Sequence, residues 1–285
     1  MQPSRRPPPG VRARTVCPAL VAAVLVVWLI SVAGASDLPT PSARLLSKQA
    51  IPVFYNQGIA RVRGGWILSG TLSPIPDTDT LVRTDEQFNV VVTNKPAIPP
   101  EWRARGYTHI GDIDVIGNVV YVPFEQPDYT KGHQVTARYD ARTLRFRDAV
   151  VVPQHENSFV AVDPASRIAW SMDHFDGNEL LRYDVARSWK RLRPLRLSTV
   201  LHHTQGASVT AGAIWISTSD PRNDLYRVST KTGHVDLVGQ IVDPLGEGEG
   251  IDATPLPSGG LHAMVLDPDM TKVWVEHFSR PSPPR

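Results

Sequence analysis

Between about residue 55 and residue 278 the chain is a succession of short runs in which apolar and polar residues alternate, separated by Gly, Asp and Pro. That alternation is the period of a half-buried β-strand, and no stretch carries a sustained helical period. One element recurs from Gly58 to Ser69, from Gly111 to Val122 and from Gly206 to Ser217, each time as two β-forming runs around a Gly turn. Looser copies run from Ser158 to Ser171 and from Gly250 to Val265. A second element follows the first four copies: Leu81–Asp85, Thr136–Asp140, Leu180–Asp184 and Leu225–Ser229. Its arginines, Arg83, Arg138, Arg182 and Arg227, are spaced by 55, 44 and 45 residues. A further short strand is predicted at Phe88–Val92, Leu144–Phe146 and His234–Val238. Four strands in a repeat of this length are the signature of a β-propeller blade. The pattern therefore predicts an all-β fold, a single five-bladed β-propeller over residues 48–279, with a β-sandwich as the competing arrangement.

The fifth repeat is short. Its third strand falls at Lys272–Phe278 and the Pro-rich residues 280–285 follow at once, so its outer strand must come from elsewhere. Leu45–Phe54 is otherwise unassigned and is expected to pair there and close the ring. Residues 36–47, with Pro39 and Pro41, read as a linker, and residues 280–285 as a disordered tail.

Composition then changes the picture at the N-terminus. Arg5, Arg6, Arg12 and Arg14 precede an uncharged apolar run from Ala19 to Ile30, and Ala33-Gly34-Ala35 offers a cleavage site. Residues 1–35 read as a signal peptide, making the protein secreted or extracytoplasmic; the alternative is a membrane anchor formed by residues 19–35. Of 30 basic residues, four lie in this leader, which leaves 26 against 28 acidic residues and a mature charge near −2. That balance gives no reason to expect nucleic-acid binding, and it confines membrane contact to an uncleaved N-terminal segment. With 41% hydrophobic residues the chain can bury a sizeable core, and a monomer is expected. Cys17, the only cysteine, belongs to the leader, so the exported part has neither disulfide nor thiolate chemistry.

Residues at the starts of the innermost strands converge on a propeller axis. These are Asn56-Gln57, His109 with Asp112 and Asp114, His155-Glu156-Asn157, His202-His203 with Gln205, and Glu247, Glu249 with Asp252. Asp112, Asp114, Glu156, Asn157, Glu249 and Asp252 offer hard oxygen donors suited to Ca2+ or another divalent cation, and are expected at one mouth of the channel. His155 and His109 are the candidates for a general base. The competing role for all of these is satisfying backbone groups in turns. Gly246–Gly250 is no phosphate cradle, since its acids repel phosphate, and no Gly-x-Ser-x-Gly elbow is present.

Around Gln57-Gly58, Asn157-Ser158, Gln205-Gly206 and Glu249-Gly250-Ile251-Asp252 the chain resembles the exported propellers of the gluconolactonase and strictosidine-synthase-like group. That resemblance implies a divalent cation held by Asn157, Glu249 and Asp252 and polarising a lactone or ester, although Gln57 stands where an acidic ligand is expected. Two function classes follow, beside a purely structural scaffold. One is an exported binding protein presenting its channel face to a small molecule, a carbohydrate or an envelope protein, using Trp66, Trp170 or Trp215 if these lie outside the blade core. The other is a cation-dependent lactonase or esterase.

Overall fold

The computed structural model describes residues 43–72, 75–126, 133–242 and 245–281. The leader read at residues 1–35, with most of the linker, lies outside the described residues. Among the described residues no helix is long and apolar enough to cross a membrane.

Five antiparallel sheets are arranged as the blades of a β-propeller. Blade 1 contains β2 (Gly58–Val62), β3 (Gly65–Gly70), β4 (Thr80–Thr84) and β5 (Val90–Asn94). In blade 2 the inner position is shared by β6 (His109–Ile110) and β7 (Asp114–Ile116), followed by β8 (Val119–Glu125), β9 (Gln134–Asp140) and β10 (Phe146–Val152). Blade 3 runs through β11 (Ala161–Val162), β12 (Ile168–Ser171) and β13 (Asp176–Asp184). Its outer edge is divided between β14 (Lys190–Arg191) and β15 (Leu195–His202), a strand that the repeat pattern does not predict. Blade 4 contains β16 (Thr204–Thr210), β17 (Ala213–Thr218), β18 (Asp224–Ser229) and β19 (Val235–Gln240). Blade 5 has β20 (Glu247–Asp252), β21 (Leu261–Leu266) and β22 (Lys272–Phe278), and its fourth strand is β1 (Leu45–Pro52).

The closing strand therefore pairs as expected, antiparallel to β22, from Leu45 opposite Phe278 to Pro52 opposite Lys272. It starts three residues inside the stretch read as linker. Ala43 extends the tie to the neighbouring blade, its N–H donating to Val238 O at 2.8 Å. The tail also departs from expectation at its start: Pro281 is buried and the Arg280 guanidinium sits 5.9 Å from the Trp215 ring centre.

Second strands such as β3 and β17 are buried along their whole length because a neighbouring blade covers each face. Outer strands such as β5 are largely exposed. The core is correspondingly split into five apolar clusters, one between each pair of adjacent blades. Trp66, Trp170 and Trp215 are only 2–3% exposed and belong to three of these clusters, so their rings serve blade packing.

Candidate functional site

At the axis the inner strands approach until only glycine backbone fits between them. A Cβ on Gly250 would lie 2.7 Å from the Gly58 Cα, and one on Gly206 would lie 2.6 Å from the Gly250 Cα. Asp112 fills the centre of this ring. Its Oδ1 accepts from the N–H groups of Ile59 and Ile113, both at 3.0 Å, and its Oδ2 from Ala207 at 2.9 Å and Ile251 at 3.3 Å. Its main chain bonds blade 3, through Asp112 N to Ser158 O at 2.7 Å and Val160 N to Asp112 O at 3.3 Å. One aspartate thus bonds its own blade and the other four. Burial pushes its carboxyl above the usual carboxylate range, and the four amide donors pull the other way.

The six oxygen donors expected at one mouth are consequently separated. Asp114 and Asp252 lie beyond the glycine ring, because strand direction carries residues after Gly111 and Gly250 towards the opposite face. Asp114 accepts from Val115 N at 2.7 Å and Val162 N at 2.6 Å. Asp252 accepts from Arg61 N at 2.9 Å and Thr254 N at 2.8 Å. Burial, with the Asp252 charge adding to it, pushes Asp114 up to about 7. Burial also raises Asp252, against its amide bonds. Asn157 is fully buried: Nδ2 donates to Val135 O at 2.8 Å, and Oδ1 accepts from Gln154 Nε2 and Ser171 Oγ, both at 3.1 Å. Glu156 Oε2 accepts from Phe175 N at 3.0 Å, holding the loop between β12 and β13. A calcium ion takes about six to eight oxygens on one centre. These donors are spent on amides and divided between two faces, and among the described residues no three His, Cys, Asp or Glu side chains are arranged to hold a metal ion. The set does not fit the cation that the resemblance implies.

What does gather at the mouth where the inner strands start is a cavity of about 180 Å3 containing His109, Gln57, Gln205 and Glu247 from those starts. His155 is exposed and stands outside it, with its main-chain carbonyl accepting from Gln134 Nε2 at 2.5 Å. Two further lining groups, Glu125 and His174, are ones that the sequence reading missed. Glu125 ends β8 directly opposite His109, so cross-strand pairing at the mouth was the signal for it. His174 lies in a loop with no periodic signal.

Hydrogen bonds fix the polarity of this lining. His109 Nε2 is 3.0 Å from Gln57 Oε1, which only accepts, so the ring proton is on Nε2 and the Nδ1 lone pair is free. Gln57 Nε2 in turn donates to Glu249 Oε1 at 3.5 Å. His174 Nδ1 is 3.0 Å from Thr204 O, a carbonyl that only accepts, so Nδ1 carries a proton and donates it into the protein. Gln205 Nε2 is occupied by Glu247 Oε1 and Ser219 Oγ, both at 3.1 Å. Burial, with His174 nearby, lowers His109 to about 4, so its ring is neutral at neutral pH. Burial, reinforced by Glu156 and Asp173 against the Asn157 N–H, pushes Glu125 up to about 7. Glu249, beneath Gln57, is raised well above its usual range by burial and by the charges of Glu247 and Asp112.

The fold has a solved counterpart. Glutaminyl cyclase from Myxococcus xanthus superposes with a TM-score of 0.58 at 11% identity, over 83% of this chain and 96% of that one. A luciferin-regenerating enzyme aligns with a TM-score of 0.49 at 12% identity, over 80% of this chain and 81% of that one. At such identities the first likeness speaks for the fold alone, the β-propeller that the resemblance to the gluconolactonase group also implied. No protein-family model and no curated protein matches the sequence.

Proposed function

We propose that this chain is a ligand-binding propeller whose axial mouth takes the protonated amine of a small molecule or of a polypeptide end. The observation that supports this is the imbalance of donors and acceptors. Both imidazoles turn their N–H groups into the protein, both glutamine amides point at partners, and the carboxylates of Glu125 and Glu247 add acceptors and negative charge. An ammonium group supplies three donors and one positive charge, and is compact enough for a cavity of this size. The arginine-flanked apolar leader supports an extracytoplasmic setting with a mature end at Ser36.

The test compares glycinamide with N-acetylglycinamide, followed by 1H–15N NMR of the His109 and His174 rings. Glycinamide should shift both rings and the acetylated compound neither. Equal response to the two compounds, or response to neither, overturns the reading.

Glu125 favours a second, catalytic version of the same site. A carboxyl titrating near neutrality is poised to take one proton from a bound ammonium, leaving the amine nitrogen with the lone pair it needs as a nucleophile. A glutaminyl group ending a peptide carries such an amine beside its own carboxamide, and a glutaminyl cyclase shares this fold. Ammonia release from a glutaminyl peptide, lost in Glu125→Gln, would distinguish catalysis from binding.

A further inference from the structure

On the face opposite the axial mouth, where β1 and blade 5 meet blade 1, lies a cleft of about 540 Å3 walled by Trp66, Phe88 and His277. A second cleft, of about 550 Å3, continues from it past Arg61 and Glu86, which line both, to Arg63 and Thr254. Each is within the size range of small-ligand sites, about 300–1,000 Å3. Their charge is one-sided. Lys48, Arg61 and Arg63 line them, against the single carboxylate of Glu86, which is already paired with Arg61 at 2.6 Å.

The wall also carries an acceptor set by a chain of hydrogen bonds. His262 Nε2 is 3.0 Å from Thr254 O, so Nε2 carries the proton. Burial lowers both His262 and His277 to about 4, so both rings are neutral. His262 Nδ1 is therefore a lone pair, and the 2.7 Å contact between the two Nδ1 atoms requires His277 to donate from its own. That leaves His277 Nε2 unprotonated on a residue that lines the cleft. Phe88, half-buried and stacked on the enclosed Trp66 ring with centroids 5.7 Å apart, adds an apolar surface beside it.

We infer that this groove is a binding site for an acidic saccharide, its carboxylates facing Lys48 and Arg63 and a hydroxyl donating to His277 Nε2. Saccharides offer donors, acceptors and apolar C–H faces together, which is the mixture the groove presents. A DNA backbone would satisfy the cations but brings no donor for the imidazole, since its phosphates only accept and its sugars lack the 2′-hydroxyl.

The test titrates the full chain with trigalacturonate, with neutral galactotriose and with a thymidine oligonucleotide of matching charge. Trigalacturonate should bind and shift the His277 Nε2 resonance, with galactotriose weaker by about tenfold and the oligonucleotide silent. Lys48→Gln and Arg63→Gln, both exposed, should each weaken trigalacturonate binding by about tenfold with unchanged melting. Absence of trigalacturonate binding, equal affinity for the neutral sugar or the oligonucleotide, or indifference to both substitutions overturns the inference.

Discussion

Replacing Asp112 with alanine removes an acceptor that four buried N–H groups share, three of them in other blades. A buried amide left without a partner costs about 1–3 kcal/mol, so the interblade amides of Ile59, Ala207 and Ile251 put the loss at roughly 3–9 kcal/mol. Water entering the vacated space would recover part of this. Domains of this kind are stable by about 5–15 kcal/mol in all, so even the lower figure is a large fraction. At this size about 1 kcal/mol moves the melting temperature by roughly 2–4 °C, which makes the smallest expected drop roughly 6–12 °C. Asp112→Asn keeps the shape but turns an NH2 group towards two donors, so it should also destabilise. Calorimetric melting and guanidinium unfolding of both variants measure this. If both melt within about 2 °C of the parent, the aspartate does not hold the blades together and the energetic reasoning is wrong.

Gly250→Ala should destabilise by about 3 kcal/mol or more, or prevent folding, because its Cβ would meet the Gly58 Cα at 2.7 Å. Gly117→Ala, at φ +62° with open space around it, should cost only about 1–2 kcal/mol; equal losses would show that close approach is not the cause. Deleting residues 43–52 strips β22 of its partner and removes the buried Ile51, so the shortened chain should aggregate or melt far below the parent; melting like the parent would refute the closure. Glu125 has a folded pKa raised to about 7, so its share of stability is lost as pH rises from about 4 through 7. Glu125→Gln should therefore gain stability relative to the parent between pH 5 and pH 8, and a constant difference would contradict the shift. His262 and His277, lowered to about 4, act in the opposite sense: their share is present above about 6.5 and lost as pH falls towards 4. Replacing both with Gln should flatten melting temperature against pH in that window, and an unchanged slope would count against their neutral state.

The propeller was legible because each blade restates one pattern, and the closing strand because the fifth repeat ran out of residues. The outer edge of blade 3 was not legible: Ser188 and Trp189 both adopt positive φ between β13 and β14, which breaks the hairpin pattern seen in the other blades. The site was half legible. His109, Gln57, Gln205 and Glu247 stand at the strand starts where convergence was expected, while Glu125 was hidden at the far end of a second strand. Asp112 shows a physical limit of such reading. A carboxylate poised to bind a cation and one poised to accept backbone amides have the same Gly-Asp signature, and only the approach of the other blades distinguishes them.

The glycine ring around Asp112 also fixes how many blades the protein has. Amides from different blades reach one carboxylate only where the inner strands crowd to within van der Waals contact, as those at Gly58, Gly206 and Gly250 do. Adding a sixth blade would widen the axis and draw some of those N–H groups out of reach. Removing one would leave no room for a side chain at the centre. Asp112 thus works as a gauge of ring size, satisfied by this circumference and by no other, and duplication of a blade in this lineage would have to replace the aspartate as well.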